Sequence, residues 1–146
     1  MSMAREDIKK LRETHDKSDM LRLVMDFPSQ MEKAWQLGED FAKGIRKQSF
    51  NKVVVCGMGG SAIGGDLVRS YLGDAPGIPI HVNRGYTVPE SLLDGSLLVY
   101  SSYSGNTGET LAAYAAGRLS ARNAVAITSG GQLHRLCDKD GVPACV

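Results

Sequence analysis

The chain has 146 residues, enough for one domain with a real core and too few for two comfortable ones. Its 42% apolar and 23% charged residues are ordinary globular values, which excludes a disordered or fibrous chain. Seventeen basic residues against sixteen acidic ones leave a formal net charge of +1, so there is no overall electrostatic footprint for nucleic acid or an anionic membrane.

Residues 4 to 25 are charged and broken, with a helix expected around Asp7 to His15 and a shorter one before "DFPSQ". From Ser29 the pattern strengthens. Ser29 and Glu32 form a capping-box pair after Pro28, and Met31, Ala34, Trp35, Gly38, Phe41, Ala42 and Ile45 recur at helical spacing. Arg46 and Lys47 are expected in the last turn, where cations favour the carbonyl end. Residues 1–48 are thus read as a helical arm packing on the domain formed by 49–146.

Beyond this arm the chain repeats one unit: a short apolar run, a loop of small residues and a helical stretch. "NKVVVCGMGGSAIGGDLVRSYL", "GSLLVYSSYSGNTGETLAAYAAGRL" and "RNAVAITSGGQLHRLCDKDG" are the repeats, with a strand-like "GIPIHVNRGYTVP" between the first two and "VPACV" opening a fifth strand. The runs Val53 to Cys56, Leu97 to Tyr100 and Ala124 to Ile127 are continuously apolar, which suits parallel strands covered on both faces. Right-handed crossovers then give an α/β fold: a three-layer αβα sandwich with about five strands in a flavodoxin-like order such as 2-1-3-4-5. All three small-residue loops emerge at the carboxyl edge of that sheet, where open α/β sheets bind ligands.

In the first loop, Gly57, Gly59 and Ala62 fit a relaxed dinucleotide pattern. The supporting carboxylate after the next strand is missing; "IHVNR" offers Asn83 and Arg84, of which Arg84 could serve a 2′-phosphate. No Gly-Lys-Ser/Thr follows, so the loop is not a Walker motif, and Ser61 lacks the second glycine of a hydrolase elbow. The second loop suits a phosphate better. Ser102, Ser104 and Thr107 bracket Gly105, whose missing side chain lets backbone approach a ligand, and Asn106 with Glu109 can cap the helix that follows. Free N–H groups and the dipole at that helix start favour an anion. A serine-rich turn with a cap is the bland alternative, but a cap needs one hydroxyl and this turn has several. The third loop repeats the theme with Thr128, Ser129, Gly130 and Gly131, and His134 and Arg135 just beyond are read as surface residues.

Taken together, "VVVCGMGGSAIGGDL", "NRGYTVP", "SYSGNTGETL" and "AITSGGQL", in this order, resemble the sugar isomerase (SIS) domain, specifically the first half of bifunctional phosphoglucose/phosphomannose isomerases. Where that family usually has an acidic residue, this chain has Gly108. The resemblance implies an aldose–ketose isomerase that uses no metal or cofactor and exchanges glucose 6-phosphate or mannose 6-phosphate with fructose 6-phosphate. By matching position, Ser102, Ser104 and Thr107 hold the phosphate, Gly59, Gly60 and Ser61 line the sugar side, Tyr103, Gly105 and Asn106 shape the loop, and Thr128 and Ser129 are further contacts. The resemblance also implies a homodimer.

Isomerisation through an enediolate requires a positioned base. In the family that base is a glutamate, helped by a histidine and a lysine from a second SIS domain or a neighbouring subunit, and nothing here matches them. Glu109 is the only carboxylate near the cradle and reads as a helix-start residue. The stop at "GVPACV" leads us to expect half of a longer protein or a truncated product, able to bind phosphosugar weakly and unable to isomerise it. A non-catalytic phosphosugar sensor and a dinucleotide-binding Rossmann domain are the competing readings. Cys56, Cys137 and Cys145 are odd in number and form no Cys-x-x-Cys pair, so reduced thiols are expected. The charged first twenty residues exclude a signal-peptide core, and a cytoplasmic location with no membrane or nucleic-acid partner is expected.

Overall fold

The computed structural model describes residues 5–46, 48–73, 75, 77–118 and 123–146, which fall into two compact units, 1–44 and 45–146. The first unit has three helices: α1 Arg5–His15, α2 Met20–Met25 and α3 Phe27–Gly44. The turn between α1 and α2 is held by Asp16, whose carboxylate accepts the Met20 and Leu21 N–H groups at 2.7 and 2.9 Å. Asp19, at φ 54°, takes a left-handed conformation that short polar side chains tolerate, and pairs with Arg12 and Arg22.

Two expectations for α3 need correction. The helix begins at Phe27, so Ser29 lies inside its first turn and is not the cap. Pro28 explains the earlier start: it lacks only an N–H that a first turn leaves unpaired in any case. At the other end α3 stops at Gly44, which leaves Lys43 as the cation of its last turn and Arg46 beyond it; Lys47 lies outside the described residues.

The second unit carries β1 Lys52–Cys56, α4 Gly59–Leu72, β2 Ile80–Asn83, β3 Ser96–Ser102, α5 Gly108–Gly117, β4 Asn123–Thr128, α6 Gly131–Asp140 and β5 Ala144–Cys145. The strands form one parallel sheet in the order β2-β1-β3-β4-β5, as the repeated strand-loop-helix pattern predicts. In register, Cys56 stands beside Asn83 and Tyr100, and Ser102 beside Thr128, so the strands end together and their loops share one edge.

Burial is less even than the apolar runs predict. Along β3, Ser96, Leu98, Tyr100 and Ser102 are buried while Leu97, Val99 and Ser101 are only partly covered. The buried face packs against α5 and α6: Tyr100 meets Tyr114 edge to face, ring centroids 4.9 Å apart, within a cluster holding Val54, Cys56, Leu98, Leu133 and Cys137. Each such side chain contributes about 1.5–3 kcal/mol through burial. Gly117 at the end of α5 is required here, since a Cβ would lie 2.3 Å from the Tyr100 hydroxyl and 2.6 Å from Leu98. On the opposite face α4 approaches β1 through Gly65, whose Cβ position is 3.0 Å from the Val55 side chain. Helices on both faces make the unit a three-layer α/β sandwich.

Candidate functional site

The loops after β1, β3 and β4 lie side by side at the carboxyl edge. The first leaves its strand tight between the two neighbouring strands: Gly57 donates to the Asn83 carbonyl at the end of β2 at 3.1 Å, and a Cβ on Gly57 would sit 2.9 Å from the Ser101 carbonyl oxygen of β3. Its chain then turns through Gly59 at φ 51° into α4, with Ala62 buried and Ser61 half-buried. Gly60 has no such constraint, for a Cβ there meets nothing within 4 Å. Packing therefore does not demand glycine at 60.

The second and third loops interlock through backbone. Gly105 takes φ 64°, and a Cβ there would lie 1.8 Å from the Gly130 carbonyl oxygen; Gly131, at φ 72°, would bring one 2.3 Å from the Ser104 carbonyl oxygen. Across this seam the Leu133 N–H donates to the Gly105 carbonyl at 2.8 Å and the Ser129 N–H to the Tyr103 carbonyl at 3.0 Å.

Capping differs from the sequence expectation in a way that bears on function. Thr107, not Asn106, is the N-cap residue of α5, and its side chain makes no capping bond. Asn106 instead caps α6: its carbonyl Oδ1 accepts the Gln132 N–H at 3.0 Å while its Nδ2 donates to the Ser104 carbonyl at 3.0 Å. The start of α6 is thus occupied, by Asn106 and by the Gly105 carbonyl. Thr128 and Ser129 lie in the same seam, Thr128 donating to the Gly130 carbonyl at 2.9 Å and Ser129 to the Tyr103 carbonyl.

By contrast, α4 and α5 begin without side-chain caps. At α5 the Leu111 N–H is taken by the Thr107 carbonyl at 3.0 Å, which leaves the N–H groups of the first turn before it without helical partners. Around that end stand three hydroxyls. Ser102, only 1% exposed, and Thr107 face each other at 2.8 Å. One proton lies between them, so the pair keeps a second O–H to donate. Ser104 is exposed and accepts the Asn106 N–H at 3.2 Å, which leaves its own proton available. Glu109 lies in the first turn of α5 and is half-buried. Backbone N–H groups, a helix dipole and converging hydroxyls together suit a tetrahedral oxyanion.

Arg84, considered above for a 2′-phosphate, is engaged by Asp66 of α4, which also takes Arg69 at 3.0 Å. His134 stands 3.5 Å from Asp138 one turn on, and Arg135 is exposed. One neighbour of the cradle escaped the sequence reading: Tyr86, in the loop after β2, reaches to within 3.7 Å of the Cβ position of Gly108. "NRGYTVP" reads as a turn, and nothing in it signals that its aromatic ring reaches another loop.

Burial raises the Cys56 thiol from the usual 9.0 to about 12, and it raises Cys137, Tyr100 and Tyr114 as well. These groups are core residues beneath the edge and take no part in the cradle.

No family model matches the chain. A bifunctional phosphoglucose/phosphomannose isomerase of Caldicellulosiruptor bescii is 41% identical over 122 residues, covering 84% of this chain and 36% of that protein. A D-glucosamine-6-phosphate 4-epimerase of Sulfolobus acidocaldarius is 37% identical over 93 residues, 63% of this chain and 29% of that protein. The chain spans about a third of the length of the curated relatives it matches. Among solved structures, a tagatose-6-phosphate ketose/aldose isomerase of Escherichia coli superposes with a TM-score of 0.56 at 21% identity, over 81% of this chain and 35% of that one. The chain is therefore a relative of the bifunctional phosphoglucose/phosphomannose isomerases along one part of their length, and its five-stranded parallel sheet has the fold of an SIS-type isomerase domain.

Proposed function

We propose that this chain is the phosphosugar-binding half of an aldose–ketose isomerase that exchanges glucose 6-phosphate or mannose 6-phosphate with fructose 6-phosphate. The observation that carries the reading is the uncapped start of α5 with Ser102, Ser104 and Thr107 around it, on a chain 41% identical to an isomerase of that name. The phosphate is the handle, held by hydroxyls and first-turn N–H groups; the sugar extends toward Gly59, Gly60 and Ser61 in the neighbouring loop. Residues 49–146 carry this function.

Isomerisation moves a proton between C2 and C1 of the opened sugar through an enediolate, which needs a base and donors at the developing oxyanion. Glu109, at the start of α5, serves the helix dipole in this reading, and the base comes from residues other than these 146. The 4-epimerase relative supports a second reading in which the same handle serves a different rearrangement of a phosphorylated sugar.

Titration calorimetry tests both. Fructose 6-phosphate binds the full chain, and Ser104→Ala weakens it by about 1.5–3 kcal/mol, the range for a hydrogen bond to a charged group. Unchanged affinity in Ser104→Ala places the phosphate elsewhere, and binding of a nicotinamide dinucleotide in place of the sugar phosphate overturns the reading. Tighter binding of glucosamine 6-phosphate than of fructose 6-phosphate favours the epimerase.

A further inference from the structure

We infer that Tyr86 is a phosphate-binding residue, its phenol completing the cradle from the loop after β2. The inference rests on the phosphosugar reading above and adds a donor that neither the motifs nor the relatives' names assign.

The ring Cε1 and the hydroxyl of Tyr86 lie 3.6 and 3.7 Å from the Cβ position of Gly108, the first residue of α5. A helical Cα–Cβ bond leaves the axis tilted toward the N-terminus, so a group touching the Cβ position of 108 flanks the opening turn of α5. The phenol therefore stands beside the first residue of α5, and a phenolic O–H is a good donor to a phosphate oxygen.

The loop that carries Tyr86 is fastened on both sides. Arg84 is paired with Asp66 on α4, Asn83 Nδ2 donates to the Gly85 carbonyl at 3.1 Å, and Val88 is 7% exposed within the core. Between these anchors Tyr86 remains 60% exposed. An aromatic ring carried on an anchored loop and largely open to solvent, beside the opening turn of α5, is arranged for an incoming ligand. A Cβ at Gly108 would be in ordinary van der Waals contact with the ring, so the phenol packs against the residue that opens α5.

Calorimetric titration of the full chain and of Tyr86→Phe with inorganic phosphate and with fructose 6-phosphate tests the assignment, with Ser104→Ala as reference. Tyr86→Phe weakens both ligands by about 10- to 100-fold, the loss of one hydrogen bond to a charged group, and leaves the melting temperature of the free protein unchanged. Weakened binding in Ser104→Ala with unaltered binding in Tyr86→Phe overturns the Tyr86 assignment and leaves the cradle standing. A loss confined to fructose 6-phosphate moves the phenol to the sugar and also overturns it. If the unsubstituted chain binds neither anion, the phosphosugar reading falls and this inference with it.

Discussion

Gly105 shows how much of the site depends on a single missing Cβ. It needs a positive φ, and its Cβ position coincides with the Gly130 carbonyl. Gly105→Ala therefore loses on two counts: the left-handed conformation costs about 1–2 kcal/mol in a non-glycine residue, and the seam must open. We expect a loss of at least about 2 kcal/mol by urea denaturation together with loss of phosphosugar binding; retention of both would show that the loops do not depend on their contact. The sequence exposed the glycine and its hydroxyl neighbours but not their partner, because "SGNT" and "SGG" lie more than twenty residues apart and nothing local announces a backbone contact. The same blindness hid Tyr86.

Among the elements, capping divides the three strand-loop-helix repeats that look alike in sequence. Asn106 was legible as a capping residue, and the local pattern pointed to the nearer helix; the structure assigns its carbonyl to α6. A side chain in a tight turn can reach a neighbouring helix as readily as its own, and spacing alone cannot distinguish them. Asn106→Ala should destabilise the domain by about 0.5–2 kcal/mol, the ordinary worth of a cap. Asn106→Asp keeps the acceptor and should recover most of this while losing the bond to the Ser104 carbonyl. Equal losses in the two variants, measured by denaturation, would assign the stabilisation to the Ser104 contact. Strand order and the positions of all five strands were readable, because short apolar runs between small-residue loops leave few right-handed arrangements. Helix starts were less so: α3 begins before its apparent cap since Pro28 fits a first turn.

Across the whole molecule, burial of ionisable groups sets a pH response. Cys56 titrates near 9.0 when unfolded and at about 12 when folded, so between these values the unfolded chain has released a proton that the folded one retains. Stability from this group is intact below pH 9 and declines as pH rises toward 12; Cys137, Tyr100 and Tyr114 are raised by burial and act in the same direction. The melting temperature should fall between pH 9 and 12, less steeply in Cys56→Ala after allowance for the substitution itself, and identical slopes would exclude this thiol as a cause. Composition foretold such a core only in outline, since the placement of Cys56 beside Tyr100 follows from strand register.

The seam between the second and third loops also bears on how the domain is made. Gly105 receives its hydrogen bond from Leu133 and Asn106 bonds Gln132, so the turn we propose as the phosphate handle is unfinished when the ribosome has delivered only its own residues. Some thirty residues more must emerge, and β4 must dock beside β3, before the turn acquires its shape. The proposed handle is thus a product of late assembly: a nascent chain exposes its serines well before the turn that carries them is complete.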